Sequence, residues 1–305
     1  MNIFLTGATG YIGGSVAERL LREGYAITGL VRSESGAKEI QARGMRAMLG
    51  SLDDAAVIAQ AARAADAVID TAEANHAGVV AAVVSALRGS GKLFLHTSGS
   101  GIVGTVANGE RRDEIYDEYS NFTPTVPRMQ ERAAIDQVVF DAAQQGVRAV
   151  VIRPSMIYSE GRGVRKESAQ VPALIENAKR AGIGLHIGNG ENLWANVHID
   201  DVAELYLLAL QKAPAGALYY AENGEEALKN VAASISRMLG FGGKTRNWSP
   251  QEAEAALGLR AHSSFGSNSR VRGKHSRAEL GWQPRGISIL EEIEQGHYKR
   301  VHRSR

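Results

Sequence analysis

The most constraining feature of this 305-residue chain is a glycine-rich turn that directly follows its first apolar run. The run Ile3-Phe4-Leu5 leads into Thr6-Gly7-Ala8-Thr9-Gly10-Tyr11-Ile12-Gly13. We expect a strand, a turn and a helix, because Gly7 permits the tight turn, Gly10 lets the backbone approach a phosphate, and Gly13 lets helix and strand pack closely. The start of that helix would offer free N–H groups and the positive end of its dipole. The segment therefore predicts a binding site for the pyrophosphate of a dinucleotide.

The composition is that of an ordinary globular protein. Hydrophobic residues make up 44% and charged residues 22%, and a net charge of +2 is too small to favour nucleic acid or a membrane surface. The absence of cysteine excludes disulfides and thiolate nucleophiles, and the eight histidines show no metal-ligand spacing. The longest apolar stretch, residues 78–87, is shorter than the roughly 20 residues that span a bilayer. With no signal peptide before the first strand, we expect a cytoplasmic protein without metal, membrane or nucleic-acid partners.

Strand and helix signals alternate over the first half of the chain. The apolar runs that predict strands lie at residues 2–6, 26–31, 45–49, 67–72, 92–97 and 148–153. Helical, alanine-rich segments separate most of them, for example at residues 53–64, 75–88 and 130–145. Right-handed crossovers between such strands build a parallel, doubly wound sheet with helices on both faces, and nearly all-apolar strands suit that burial.

The alternation ends after Tyr158. Five segments follow it. They are a glycine- and charge-rich loop at residues 159–168, a helix at 169–181, a second glycine-rich segment at 184–194, a helix at 201–212 and a strand at 217–221. We therefore predict an α/β fold, in which a doubly wound parallel Rossmann sheet carries a smaller, discontinuous C-terminal substrate cap. The Rossmann domain would comprise residues 1–158 plus about 195–222. The cap would comprise about 159–194 plus 223–305.

The end of the second predicted strand, Leu30-Val31-Arg32-Ser33, bears on the choice of cofactor. In dinucleotide-binding folds the residue that closes this strand faces the adenosine ribose. An acidic residue there bonds the 2′-hydroxyl of NAD, whereas an arginine suits the 2′-phosphate of NADP. Arg32, with Ser33 beside it, therefore predicts NADP(H). The alternative is a surface arginine at a strand end.

Five further motifs follow the glycine turn in a fixed order. They are Gly50-Ser51-Leu52-Asp53-Asp54, Val68-Ile69-Asp70-Thr71-Ala72, Arg153-Pro154-Ser155-Met156-Ile157-Tyr158, Val197-His198-Ile199-Asp200-Asp201 and Leu280-Gly281-Trp282-Gln283-Pro284. Over nearly its full length, the chain thus resembles the atypical and extended short-chain dehydrogenase/reductases, which include NAD-dependent epimerase/dehydratase-like proteins. The resemblance implies a nicotinamide cofactor. The cofactor-binding residues it implies, together with those of the turn, are Gly7, Thr9, Gly10, Tyr11, Ile12, Gly13, Arg32, Ser33, Ser51, Leu52, Thr71, Ala72 and Arg132.

The catalytic pattern of that family is altered in this chain. Members use a serine, together with a tyrosine and a lysine four residues apart on one helix. Arg128 stands where the tyrosine is expected and Arg132 where the lysine is expected. The usual serine position falls at Gly99, so that Ser98 or Ser100 would have to substitute. The chain resembles a subgroup in which a basic pair replaces the Tyr-x-x-x-Lys motif, and the candidate catalytic residues are Arg128, Arg132, Ser98 and Ser100.

An arginine pair changes the chemistry that is available. Arginine titrates above about 12, and neutralising it near pH 7 costs on the order of 7 kcal/mol at about 1.4 kcal/mol per pH unit, so it is a poor general acid. It is a good clamp for an oxyanion, a carboxylate or a phosphate. The alternative is that ion pairs of Arg128 with Glu131 and of Arg132 with Asp136 absorb both charges. In either case a proton would have to come from another side chain, and the candidates are Tyr116, Tyr119, Tyr158, His198 and the two serines.

These features favour an NADP(H)-dependent oxidoreductase that acts on a small carbonyl or alcohol. We expect a small-molecule substrate, anionic or carbonyl-bearing, and a monomer or a homodimer. Two alternatives stay open. One is an NADP(H)-binding sensor without turnover, which the loss of tyrosine and lysine would fit. The other is a sugar-nucleotide epimerase or dehydratase, which the large cap favours and the missing base disfavours.

Overall fold

A computed structural model describes residues 1–258 and 260–302. In chain order the strands are β1 Asn2–Thr6, β2 Ala26–Val31, β3 Arg46–Leu49, β4 Ala67–Asp70, β5 Leu93–Thr97, β6 Thr105–Val106, β7 Arg148–Pro154, β8 Met156–Tyr158, β9 Gly184–Ile187, β10 Leu193–His198, β11 Leu218–Ala221, β12 Glu225–Ala227, β13 Thr245–Trp248 and β14 Ser267–Asn268. Seven of them form the central sheet, in the order β11-β7-β5-β4-β1-β2-β3, with every pair parallel. The direction of winding reverses at β1, between β2 and β4, and ligands of such sheets bind beyond the carboxyl ends of the strands there.

The helices alternate with these strands. They are α1 Tyr11–Arg22, α2 Glu34–Gln41, α3 Ala55–Ala64, α4 Ala77–Leu87, α5 Pro127–Ala142, α6 Gln170–Ala181, α7 Ile199–Lys212, α8 Leu228–Met238, α9 Pro250–Leu257, α10 Lys274–Leu280, α11 Ile289–Glu294 and α12 His297–His302. Helices α1, α2 and α7 pack on one face of the central sheet, and α3, α4 and α5 pack on the other. Within β1, Ile3 and Leu5 face the first layer while Phe4 faces the second. The predicted doubly wound parallel sheet is confirmed.

Helix α5 begins earlier than the sequence pattern predicts. Its first residue is Pro127 rather than residue 130, because proline has no N–H to lose at the first position of a helix and its φ is already helical. The α-helix ends at Ala142, and the rest of the predicted segment is a 3₁₀ turn, Ala143–Gln145. As a result, Arg128 and Arg132 lie in the first two turns of α5, at the carboxyl edge of the sheet.

Three smaller sheets lie outside the central one: β12-β10-β8, β13-β9 and β14-β6. Residues of β8–β10, β13, α6, α8, α9, α11 and α12 share a second apolar core, in which Tyr158, Trp194 and Trp248 are among the largest buried side chains. This core includes much of the proposed cap, of which residues 259 and 303–305 lie outside the described residues. Among the helices of residues 1–258 and 260–302, none is long and apolar enough to cross a membrane.

Candidate active site

The glycine turn joins β1 to α1 at the carboxyl edge of the central sheet. Gly7 has φ +75°, a conformation that glycine adopts without strain. A Cβ on Gly13 would lie 2.3 Å from the Gly7 carbonyl oxygen and 2.4 Å from Thr71 Oγ1, so only glycine allows α1 to pack this closely. A Cβ on Gly10 would approach only the Gly7 carbonyl, with oxygen at 3.0 Å. Because α1 has no side-chain cap, its first N–H groups are available to an anion.

A continuous cleft starts at this turn. One part, the glycine-turn half, has a volume of about 540 Å³ and lies against the ends of β2 and β4. The other part, the chamber, has a volume of about 510 Å³ and lies against the end of β5, the start of α5 and the loop that follows β8. Gly10, Thr71, Ala72 and Arg165 line both parts. The shared lining makes the two parts one site.

The sequence-predicted cofactor residues are distributed over both parts of the cleft. Those lining the glycine-turn half are Gly7, Thr9, Gly10, Arg32, Ser51, Leu52, Thr71 and Ala72. The chamber shares Gly10, Thr71 and Ala72 with that half, and Tyr11, Ile12 and Arg132 line the chamber alone. Gly13 and Ser33 lie outside the lining of either part. Gly13 packs beneath the turn, and Ser33 caps α2, where its Oγ accepts a hydrogen bond from Gly36 N at 3.2 Å.

Arg32 is an uncompensated cation at the end of β2. Its side chain is exposed, and within the described part of the chain it makes neither an ion pair nor a hydrogen bond. Asp53, a carboxylate in the same half of the cleft, is held by Ser51 Oγ at 3.2 Å and lies 3.1 Å from His76 Nε2. The positive charge of Arg32 is therefore left for a ligand.

Arg132 is held by an amide rather than by a carboxylate. Its Nε and Nη2 donate hydrogen bonds to Asn75 Oδ1 at 3.1 and 2.7 Å. Its Nη1 makes no hydrogen bond to any described residue and lies 3.2 Å from the position that a Cβ would take on Gly99. Burial lowers the pKa of this guanidinium, and the nearby charge of Arg128 lowers that pKa further. Nη1 thus points into the space that the missing side chain of residue 99 leaves open.

Arg128 lies nearer to solvent. Its Nη2 forms an ion pair with Glu73 Oε1 at 3.1 Å, and its carbonyl oxygen accepts a hydrogen bond from Asn75 Nδ2 at 2.8 Å. The alternative pair with Glu131, which lies three residues further along α5, is absent from the described residues. Asn75 therefore links both arginines, and no sequence pattern pointed to it because it lies in the loop between β4 and α4.

Ser98 lines the chamber, but its hydroxyl hydrogen is directed into the protein. Its Oγ donates to Asp136 Oδ2 at 2.9 Å, and Arg153 Nε and Nη2 donate to the same oxygen at 3.0 and 2.8 Å. Asp136 therefore pairs with Arg153 rather than with Arg132, the partner that the helical spacing offered. With its hydrogen engaged, Ser98 presents only acceptor lone pairs to a substrate.

The chain of buried polar groups extends further beneath the site. His96 Nε2 lies 3.8 Å from Asp136 Oδ1, and neither atom has a hydrogen-bond partner in the part of the chain that the structure describes. His96 Nδ1 lies 3.0 Å from Asp70 Oδ2, and Thr6 Oγ1 donates to Asp70 Oδ1 at 2.5 Å. Burial alone would raise the pKa of Asp70, but its contacts with His96 and Thr6 hold the pKa below its ordinary value. Sequence reasoning missed this chain, although a polar residue near the end of each of two apolar strands was a usable signal.

Ser100 also has an internal partner. Ser269 Oγ donates to the Ser100 carbonyl oxygen at 2.8 Å, and the two hydroxyl oxygens lie 3.0 Å apart. Since Ser269 has a single hydroxyl hydrogen, the hydrogen between the two oxygens belongs to Ser100 in this arrangement. Arg132 Nη1 therefore remains as a donor in the chamber that has no acceptor among the described residues.

The four other candidate proton carriers lie outside the described lining of the chamber: Tyr116, Tyr119, Tyr158 and His198. Tyr158 donates its hydroxyl to the Ile287 carbonyl at 2.7 Å, and burial raises its pKa. His198 caps α7. The tyrosine that does line the chamber is Tyr11, whose hydroxyl donates to the Ser159 carbonyl at 2.8 Å and whose pKa burial raises strongly. None of these groups replaces the phenol that the resemblance leads us to expect.

Sequence comparison finds full-length relatives. Residues 3–220 match the profile of the NAD dependent epimerase/dehydratase family. The chain is 31% identical to an uncharacterised protein of Schizosaccharomyces pombe, over 98% of this chain and 100% of the relative. It is 30% identical to the oxidase ucsJ of an Acremonium species, over 96% and 95% of the two chains. A 4-hydroxy-2-methyl-3-oxo-4-farnesyl-3,4-dihydroquinoline-1-oxide ketoreductase of Stigmatella aurantiaca is 26% identical over 85% of this chain and 79% of its own.

Solved structures share the fold at lower sequence identity. The UDP-glucose 4-epimerase of Thermotoga maritima superposes with a TM-score of 0.78. The alignment covers 99% of both chains at 18% identity. This likeness extends over the central sheet and the C-terminal part alike, and it concerns the fold alone.

Proposed function

The chain belongs to the NAD-dependent epimerase/dehydratase family, and from that premise we propose that it is an NADP(H)-dependent oxidoreductase acting on a small carbonyl compound or the corresponding alcohol. One observation carries the proposal. A single cleft joins an anion cradle, with an uncompensated arginine at its outer end, to a chamber in which Arg132 Nη1 has no protein acceptor. The cradle and its arginine match a dinucleotide with a 2′-phosphate, and the chamber matches a substrate oxygen.

The residues of the glycine-turn half fit the cofactor in shape and in charge. Because Gly10 has no side chain, the turn leaves room beside the N–H groups of α1. This space suits a pyrophosphate. Arg32 would pair with the 2′-phosphate, because an arginine binds phosphate through fixed, charge-assisted donors. Thr71 and Ala72 would form the wall between the two parts of the cleft.

In the chamber, a bound nicotinamide supplies or accepts a hydride. Arg132 Nη1 would donate a hydrogen bond to the substrate oxygen as negative charge develops there, and Asn75 would hold the guanidinium in place from behind. A fixed donor of this kind contributes on the order of 10²–10³ to the rate. Because arginine keeps its proton near pH 7, we expect the proton that completes the alcohol to come from water.

Two of the relatives support redox chemistry in particular. One is named an oxidase and the other a ketoreductase, and both align with most of this chain. A ketoreductase acts on a carbonyl group, which is the group that a single strong donor such as Arg132 would polarise. We therefore place this chain with reductases rather than with sugar-nucleotide epimerases.

Cofactor affinity tests the NADP(H) assignment. We expect purified protein to bind NADPH at least about tenfold more tightly than NADH, which corresponds to about 1.4 kcal/mol. Arg32→Ala should bring the two affinities together, whereas Lys38→Ala, which removes a positive charge from α2 outside the cleft lining, should leave the ratio unchanged. Equal affinities in the wild-type protein would refute the assignment.

A binding protein without turnover is the second candidate, and one observation favours it. Among the described residues lining the chamber, the one tyrosine is bonded to the backbone, and the two candidate catalytic serines, Ser98 and Ser100, have their hydroxyl hydrogens engaged. Incubation of NADPH with a panel of aldehydes, ketones and quinones separates the two functions. Oxidation of the cofactor by any of them supports the oxidoreductase, and tight NADPH binding without oxidation supports the sensor.

A further inference from the structure

The chamber has an excess of positive charge. Of the described residues that line it, four are arginines, Arg128, Arg132, Arg165 and Arg260, and one is a carboxylate, Glu167. Glu167 forms no ion pair with any of the four, because its Oε1 lies 2.8 Å from His297 Nε2. Three of the four, Arg128, Arg165 and Arg260, are exposed, so water screens part of their repulsion, and an anion placed among them would gain charge-assisted contacts.

Three of the four arginines already have a role or a partner. Arg128 pairs with Glu73 at 3.1 Å. Arg165 lines both parts of the cleft beside Gly10, where the pyrophosphate of a dinucleotide would lie, and its Nε donates to the Glu167 carbonyl at 3.2 Å. Arg132 has a single uncommitted amino group, which is enough for one substrate oxygen.

Arg260 is the fourth arginine of the chamber, and neither the cofactor nor a protein partner accounts for it. It is exposed and has no ion pair or hydrogen bond among the residues that the structure describes. It immediately precedes a π-helical turn, Ala261–Phe265, and such turns occur frequently at functional sites. Ser263 and Ser264 of the same turn also line the chamber, so hydroxyl groups stand beside the cation.

The apolar residues of the chamber wall suit the apolar middle part of a small ligand. Met129, Ile157 and Trp194 line the same chamber, and Trp194 is fixed because its Nε1 donates to the Ser267 carbonyl at 2.8 Å. Apolar walls with a few charged groups are typical of sites that orient a small ligand by its polar ends. A ligand with one polar end at Arg132 would have its other polar end at Arg260.

On the basis of the proposed function, we propose that the substrate is an anion, a carbonyl compound with a carboxylate or phosphate group, and that Arg260 binds this group while Arg132 binds the reacting oxygen. The arrangement has a physical advantage. Two separate charge-assisted contacts fix the carbonyl carbon relative to the cofactor, which a single contact at the carbonyl cannot do.

Matched pairs of ligands test this proposal by binding, without turnover. The probes are 4-carboxybenzaldehyde against its methyl ester, and glyceraldehyde 3-phosphate against glyceraldehyde. Dissociation constants are measured by calorimetry with the protein alone and with the protein saturated with NADP⁺. We expect the charged member of at least one pair to bind at least about tenfold more tightly, and added salt to weaken that member alone. The pair that shows the preference distinguishes a carboxylate from a phosphate.

Two variants test whether Arg260 causes the preference for the charged probe. Arg260→Gln should reduce the preference to less than about threefold, whereas Arg246→Gln, an exposed arginine on β13 outside the chamber lining, should leave it unchanged. Equal binding within both pairs, no binding of any probe, or a preference that survives Arg260→Gln would each overturn the proposal. Since no hydride transfer is needed, a failure of the proposed function would appear separately, as an absence of NADPH oxidation.

Discussion

At the scale of single residues, Gly99 and Arg132 have to be considered together. The resemblance leads us to expect a serine near position 99 and a lysine at 132, and the structure puts Arg132 Nη1 close to where that side chain would begin. The sequence identified both substitutions separately. It could not reveal that they meet, because residues 33 positions apart are brought together only when α5 packs against β7 and the turn that follows β5.

Gly99→Ala tests this contact. The new Cβ would lie 3.2 Å from Nη1, so we expect the guanidinium to shift and kcat/KM to fall at least about tenfold, because displaced donors stabilise a developing charge poorly. Gly101→Ala is the matched control in the same wall, since its nearest neighbours would lie at 3.7 and 3.8 Å. The idea fails if both variants retain wild-type activity or lose it equally.

Asp136 and Arg153 form a buried ion pair whose partners could not be chosen from helical spacing. Asp136→Ala should lower the free energy of unfolding by about 3–5 kcal/mol, because it leaves the Arg153 guanidinium buried without its carboxylate. Asp141→Ala on the exposed side of α5 should change it by less than about 0.5 kcal/mol. Denaturant unfolding measures both, and a loss below about 1 kcal/mol for Asp136→Ala would contradict the account.

At the scale of elements, long apolar segments were predictable and short ones were not. The seven predicted strands of the central sheet all lie within two residues of their expected bounds, because their apolar runs stand out in the sequence and, except in the edge strand β3, are largely buried. The two- to four-residue strands of the smaller sheets, such as β6 and β14, went unpredicted. Their backbone pairing depends on neighbours distant in sequence, and so few residues carry no periodic signal.

One of these short strands carries a pH-sensitive contact. Glu225 on β12 accepts hydrogen bonds from Arg270 and Arg272, and these partners lower its pKa to about 2. A carboxylate whose pKa is depressed in the folded state stabilises the fold above its ordinary pKa, and this contribution is lost as the pH falls from about 5 to 2.

Glu225→Gln should therefore flatten the dependence of unfolding free energy on pH in this window. The contribution removed should not exceed about 3 kcal/mol, at about 1.4 kcal/mol per pH unit. Glu191→Gln, at an exposed position on the turn between β9 and β10, serves as the control. If the pH profiles of wild type and Glu225→Gln run parallel, the ion pairs of Glu225 do not contribute as described.

At the scale of the whole molecule, the cleft lies where the central sheet meets the C-terminal part. The division into a Rossmann domain and a cap remains a proposal, and the two parts contact each other at several places, one of which is α1. A Cβ on Gly163 would lie 2.4 Å from Gly14 Cα, so the loop after β8 packs directly on α1. The sequence indicated a loop there, but no pattern in it showed that Arg165 would face the cleft.

The charge of the chamber is likewise a property of the whole fold. Its arginines come from α5, from the loop after β8 and from the turn after α9, so the excess appears only when the chain is folded. The overall net charge of +2 gives no sign of this concentration. Sequence reasoning predicted an anion clamp from Arg128 and Arg132, and in the folded chain Arg165 and Arg260 line the same chamber.

We propose that a carbonyl compound accepts a hydride from NADPH in this chamber. The most direct measurement uses NADPH deuterated at the transferring position of nicotinamide C4, with mass spectrometry of the product alcohol from the most active carbonyl compound. The account predicts one deuterium on the former carbonyl carbon, and a rate of formation at least about 100-fold lower in Arg132→Gln at saturating NADPH. Tight NADPH binding with no deuterium transferred to any carbonyl compound would contradict it.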